Sequence, residues 1–280
     1  MSASLEKVLK RDRIIVLCGL ALLTLLAWAY LLYEARQMNN NMPTGTGMNM
    51  PMDGTDVKMS MSMDMAMPQM QTWQRLDLLL IFIMWAVMMV GMMLPTAAPM
   101  ILLFTAISRK RREQQRPFVS TGTFVFGYLT IWTAFAAIAT LTQWRLHSAA
   151  LISPMMVSTS AALGGGLLIG AGIFQWTPLK RACLSHCRSP LDFITTRWRE
   201  GKTGAFLMGL NHGAYCVGCC WVLMSLLFVA GVMNLLWIAV IAAFVLVEKV
   251  APPKINLWIS RSAGVALVAW GIWLALLAPR

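Results

Sequence analysis

Leu76-Asp77-Leu78-Leu79-Leu80-Ile81-Phe82-Ile83-Met84-Trp85-Ala86-Val87-Met88-Met89-Val90-Gly91-Met92-Met93-Leu94 carries a single charge, Asp77, at its outermost turn. A membrane-crossing helix needs about 20 largely apolar residues. This run has that length, and an apolar tail continues it to Ile107. Six further runs share its character: Ile14–Tyr33, Phe118–Leu141, Met155–Trp176, Ala205–Val229, Leu235–Val247 and Arg261–Leu277. The Leu235 run is short for a full crossing. The expected fold is all-α, a polytopic transmembrane helical bundle of about seven spans.

Composition agrees with that fold. Of 280 residues, 58% are hydrophobic and 12% charged, against about 45–50% and 25% in ordinary soluble domains. An ordinary cytosolic enzyme and a disordered protein are excluded. The net charge of +12 does not mark a nucleic-acid binder, because the 23 Lys and Arg lie between apolar spans. Basic residues concentrate in cytoplasmic loops. With the N-terminus inside, 18 of them fall on the cytoplasmic side and 5 outside, while the acids divide 6 to 5. The reading is N-inside and C-outside, in a bacterial inner membrane, with the basic loops against anionic lipid headgroups. The first span has an alternative. Its basic start and Ala27-Trp28-Ala29 also fit a cleaved signal peptide, which would leave six spans. Residues 1–35 are thus a membrane anchor, 36–72 a periplasmic Met-rich loop and 73–280 a helical membrane domain.

Eleven of the 23 Met lie between Met38 and Met70. Met48, Met50, Met52, Met59, Met61, Met63, Met65 and Met67 alternate with polar residues, so they build no core. A thioether is a neutral, soft donor, and soft donors select Cu(I). It needs no deprotonation and survives where thiols are oxidised. The loop reads as an outer capture segment for copper, with a sacrificial antioxidant role as the competing chemistry. In the second span Met84, Met88 and Met92 recur every four residues and share a helix face. Packing alone explains such a stripe, but Pro95 and Pro99 follow it. Met88 and Met92 are the candidates to pass an ion inward.

The cysteines form two groups apart from Cys18. In Gly209-Leu210-Asn211-His212-Gly213-Ala214-Tyr215-Cys216-Val217-Gly218-Cys219-Cys220-Trp221, His212, Cys216 and Cys220 are four residues apart. With Cys219 they occupy a stripe about 100° wide at 3.6 residues per turn. One imidazole and three thiols on one stripe suit Cu(I), which takes two or three such donors, and zinc is the second fit. Cys216 and Cys219 also read as a redox pair. The second group, Cys183 and Cys187 with His186 between them, lies past the fourth span among Lys180, Arg181 and Arg188. Its i, i+4 spacing suits ion transfer at the cytoplasmic face or a redox switch. Glu248 and Lys249 close the sixth span as weak candidates for a relay.

Trp85, Met88-Met89, Met92-Met93, Pro95 and Pro99-Met100, then Pro178-Leu179-Lys180, Cys183, Cys187-Arg188, then His212-Gly213, Cys216, Gly218-Cys219-Cys220-Trp221 and Glu248-Lys249 form a pattern. It resembles a bacterial family of predicted metal-binding integral membrane proteins of unknown function, over roughly residues 73–278. The resemblance implies metal binding and no established reaction. Three readings follow. The first is a soft-metal membrane protein in copper handling, transport or resistance, with membrane lipids, the ion and a metal chaperone or partner protein as its partners. The second is a membrane thiol–disulfide oxidoreductase, and the third a non-catalytic subunit of a larger complex. There is no nucleotide-binding motif, so any transport is passive, ion-coupled or partner-driven.

Overall fold

The computed structural model describes residues 2–40, 75–115, 120–149, 161–189, 196 and 198–277, and these are helical with short connections. The Met-rich capture segment, Met48 to Met67, lies outside the described residues. The helices are α1 (Ser2–Asn40), α2 (Arg75–Glu113), α3 (Thr121–Ser148), α4 (Ala161–Trp176), α5 (Pro178–Arg188), α6 (Gly201–Ser225), α7 (Leu227–Ala230), α8 (Leu235–Val250) and α9 (Pro253–Leu277).

Five stretches are long and apolar enough to cross a membrane: Arg13–Gln37, Arg75–Glu113, Thr121–Ser148, Gly201–Ala230 and Pro253–Leu276. A sixth is the pair α4–α5, bent by 64°. The short Leu235 run folds as a helix of 16 residues. At 1.5 Å per residue that spans roughly 24 Å, less than the ~30 Å hydrocarbon layer. The last helix begins at Pro253, about two turns before the expected Arg261.

α2 runs unbroken through Pro95 and Pro99. Proline offers no N–H to the carbonyl four residues before it, and neighbours supply polar contacts in this region. Thr96 Oγ1 donates to Met93 O at 2.8 Å, and Tyr128 from α3 donates to the same carbonyl at 3.1 Å. α1 crosses α2 at Gly91, where an added Cβ would stand 3.2 Å from Ala27 Cβ. α3 and α6 come closer still. A Cβ at Gly209 would sit 2.1 Å from Phe124 O, and one at Gly127 2.3 Å from Phe206 O. Only glycine permits this crossing, as at small-residue helix interfaces generally. The pairs α3–α6 and α4–α9 flank the core, with α2 against both α3 and α8.

The elbow between α4 and α5 has a local cause. Thr177 precedes Pro178 and is held extended, at φ −66° and ψ 145°, because proline disfavours the helical region in the residue before it. α4 therefore stops at Trp176. α5 restarts at once, with Pro178 at its first position and Thr177 Oγ1 accepting from Lys180 N at 3.3 Å. Both devices favour helix initiation. α5 then lies against α6.

Candidate metal site

α6 places His212, Cys216, Cys219 and Cys220 on its buried side. Each thiol has a different fate. Cys219 and Cys220 turn back to the Cys216 carbonyl, at 3.1 and 2.9 Å. Cys216 points across the core. Its sulfur is 3.2 Å from Tyr128 Oη and 2.9 Å from Lys249 Nζ. Lys249 also donates to Thr96 Oγ1 at 2.8 Å. Three helices thus meet at one sulfur, α3 through Tyr128, α6 itself and α8 through Lys249, and α2 joins at one remove through Thr96. The phenol has one proton. While it sits on Met93 O, Cys216 is the donor to Tyr128; a thiolate at Cys216 would draw that proton to sulfur instead.

The second cysteine group joins the first. The sequence placed Cys183 and Cys187 past the fourth span and left open whether the two groups meet; the elbow lays α5, which carries both, against α6. Cys187 comes close enough to Cys216 and Cys219 for the three thiols to interact. Cys183 fills the notch left by Gly218, where an added Cβ would be 2.8 Å from its sulfur. His186 faces elsewhere: its ring stacks on Tyr215 with centroids 4.3 Å apart. His212 is buried, 5.7 Å from the Tyr128 ring and 6.1 Å from Phe124, centroid to centroid. Met88 and Met92 are fully buried in α2. With 100° per residue, the face of α2 that carries Thr96 toward Lys249 also carries Met89, Met92, Met93 and Met100, about 60° or less away, with Met88 at about 80°. Cys18 is exposed on α1, and the described cysteines are all free thiols.

Among the described residues no three His, Cys, Asp or Glu side chains form a closed metal cage. Tetrahedral zinc prefers four such ligands. The arrangement of Cys187 against Cys216 and Cys219 is instead a small all-sulfur set beside one ammonium, which is soft-ion chemistry.

Glu248 and Lys249 are adjacent and point about 100° apart around α8, toward different partners. Glu248 is buried with Lys180, whose Nζ lies 2.6 and 2.8 Å from its carboxylate oxygens. Ser260 Oγ donates to Glu248 Oε1 at 2.7 Å, and Gln175 Oε1 accepts from Lys180. This closed network joins α4, α5, α8 and α9 behind the cysteines. Neither Tyr128 nor Lys249 was singled out as a partner of Cys216 from sequence. Lys249 had a visible signal, since an ionisable side chain at the end of an apolar run often faces the bundle interior.

Residues 82–274 match a family model described as PpoB2, copper chaperone. The chain belongs to this copper-chaperone family. The matched region spans nearly all of α2 to α9 and so takes in every residue of the thiol cluster. Met38–Met70 and α1 precede it. No curated protein and no solved structure matches the chain.

Proposed function

We propose that this chain is an integral inner-membrane copper chaperone that holds Cu(I) between Cys187 of α5 and Cys216 and Cys219 of α6. The observation that carries the reading is the arrival of Cys187 at the two α6 thiols. Sulfurs from two distant parts of the sequence, a half-buried one on α5 and two buried ones on α6, approach one another beside Lys249. Membership of a copper-chaperone family points to the same cargo. His212, Cys220 and Cys183 surround the cluster, and Met88 and Met92 lie on the route from the outer side. The Met-rich segment collects the ion, with its thioethers on the oxidising side and the thiols deeper.

Membrane insertion rests on the apolar helices and on their surfaces. Leu25, Leu141, Leu236 and Leu276 are exposed outward, as lipid-facing positions must be. Seven crossings, with α4 and the short α8 each counted once, give the N-inside and C-outside arrangement that the basic residues favour.

The test is titration of the detergent-purified full chain with Cu(I) against a chromophoric chelator. One tightly held ion is expected in the thiol cluster, beyond any held by the Met segment. Cys216→Ser and Cys187→Ser should each lose it, while Cys18→Ser should not. A metal-free protein with a titratable Cys187–Cys216 or Cys187–Cys219 disulfide would overturn the reading in favour of a thiol–disulfide oxidoreductase.

A further inference from the structure

A cleft of about 270 Å³ opens at the α4–α5 elbow, against the first turns of α9. Arg181, Arg188 and Arg261 line it together with Gln175, Asn256 and Ser260, and no carboxylate is among its lining residues. The nearby Glu248 is felt by Arg188, but its charge is matched by Lys180, which pairs with it, so the cleft keeps the net positive charge of its arginines. Arg188 is tied to the Ala251 carbonyl, which fixes one arginine at the cleft wall. Gln175 forms part of the buried wall. Its Oε1 accepts from Lys180, which has only donors to give. Its Nε2 is therefore an orphan donor, with no partner among the described residues. Arg181 holds the Trp176 carbonyl at 3.4 Å as Arg188 holds that of Ala251, and the remaining guanidinium donors with the unused amide donor make a receptor for a tetrahedral oxyanion, because guanidinium groups bind phosphate oxygens in pairs.

We infer that this cleft binds the phosphate headgroup of an anionic phospholipid. Shared phosphate chemistry alone would admit the free ion, but the rest of the cleft is apolar. Trp176, Leu184 and Leu257 form its other lining. Trp176 is 40% exposed and Trp258, one residue past Leu257, is 75% exposed. Exposed tryptophans beside arginines are the mark of a membrane–water interface. The volume suits a headgroup, since whole-ligand pockets run about 300–1,000 Å³, and leaves the acyl chains outside along exposed Leu179 and Ile255. The inference rests on the membrane reading above, which retention of the chain in alkali-washed membranes tests separately.

The full chain in neutral detergent is mixed with phosphatidylglycerol or phosphatidylcholine, and bound lipid is counted by native mass spectrometry. One phosphatidylglycerol should be retained in preference to phosphatidylcholine. Arg181→Ala/Arg261→Ala should weaken it about 30-fold, since each basic residue near a headgroup contributes roughly fivefold. Lys110→Ala/Lys202→Ala, which removes the same charge elsewhere on the same side, should leave it in place. Arg181→Lys/Arg261→Lys should recover part of the loss, and unchanged Cu(I) stoichiometry in every variant shows that each is folded. Equal retention of both lipids, or equal loss in the two alanine pairs, would overturn the site. Displacement of the lipid by millimolar inorganic phosphate would overturn the lipid assignment and leave a phosphate-ion site.

Discussion

At Cys216 the decisive neighbour is Lys249. With two of the three thiols of the proposed set deprotonated and the third neutral, Cu(I) and its sulfurs carry one net negative charge, and one ammonium 2.9 Å from the Cys216 sulfur cancels it. Neutrality matters here because an unpaired buried charge is costly in a low-dielectric interior. A divalent ion in the same pair of thiolates would leave a net positive charge beside Lys249. Lys249→Met should therefore weaken Cu(I) retention by about 10- to 100-fold, the range for losing a charge-assisted hydrogen bond, and narrow the preference for Cu(I) over Zn(II). Competition titrations with both ions measure the two effects together. Unchanged affinity and selectivity would show that Lys249 merely packs. The ion pair behind the site makes a different demand. Glu248→Gln leaves the Lys180 ammonium buried without its counter-charge, which costs about 3–5 kcal/mol. Thermal unfolding in detergent should register that loss, while Lys180→Met/Glu248→Leu should recover much of it.

The element that matters most is α5, and its position was only partly legible in the sequence. Thr177-Pro178 announces a break and a restart. Cys183 and Cys187 at i, i+4 announce a shared face. The direction of the 64° bend is a tertiary property, set by what α5 packs against, and so the meeting of the two cysteine groups could not be read in advance. Lys180 and Lys249 were obscured for a related reason. A lysine at the end of an apolar run looks the same whether it reaches headgroups or a partner on another helix. Both entered the basic-residue balance as loop charges, yet Lys180 is 1% exposed and Lys249 bonds to Cys216. The stripe of His212, Cys216, Cys219 and Cys220 was fully legible, because helical spacing alone defines a face. The notch at Gly218 tests the docking of α5. Gly218→Val should displace Cys183 and lift α5, so Cys187 should alkylate faster and Cu(I) retention should fall. Gly218→Ala is milder, and Gly218→Ala/Cys183→Ala should restore slow alkylation because the second change removes the clashing sulfur. Independent effects of the two changes would argue that α5 does not bear on the site through that contact.

Along the sequence the soft donors change character. Thioethers of the Met-rich segment, at Met48 to Met67, precede the family-matched region in the sequence, and the buried thiols lie within it. If the segment collects the ion and the cluster holds it, the two parts separate experimentally. Removing residues 42–70 should leave the cluster's Cu(I) stoichiometry intact and slow its loading at submicromolar copper, where capture limits the rate. Loss of the tightly held ion in that deletion would mean that the thioethers belong to the holding site itself. Under the proposed N-inside arrangement the Met segment loads from outside, which labelling tests. A cysteine introduced at Lys58 in a chain otherwise lacking Cys18 should react with an impermeant maleimide on intact cells, and one at Lys110 should react only after the membrane is opened. The five native cysteines of the cluster are buried or half-buried and serve as the unlabelled baseline. Reaction of Lys110→Cys from outside would invert the molecule. The Met segment would then face the cytoplasm, and copper would enter the cluster from the reducing side.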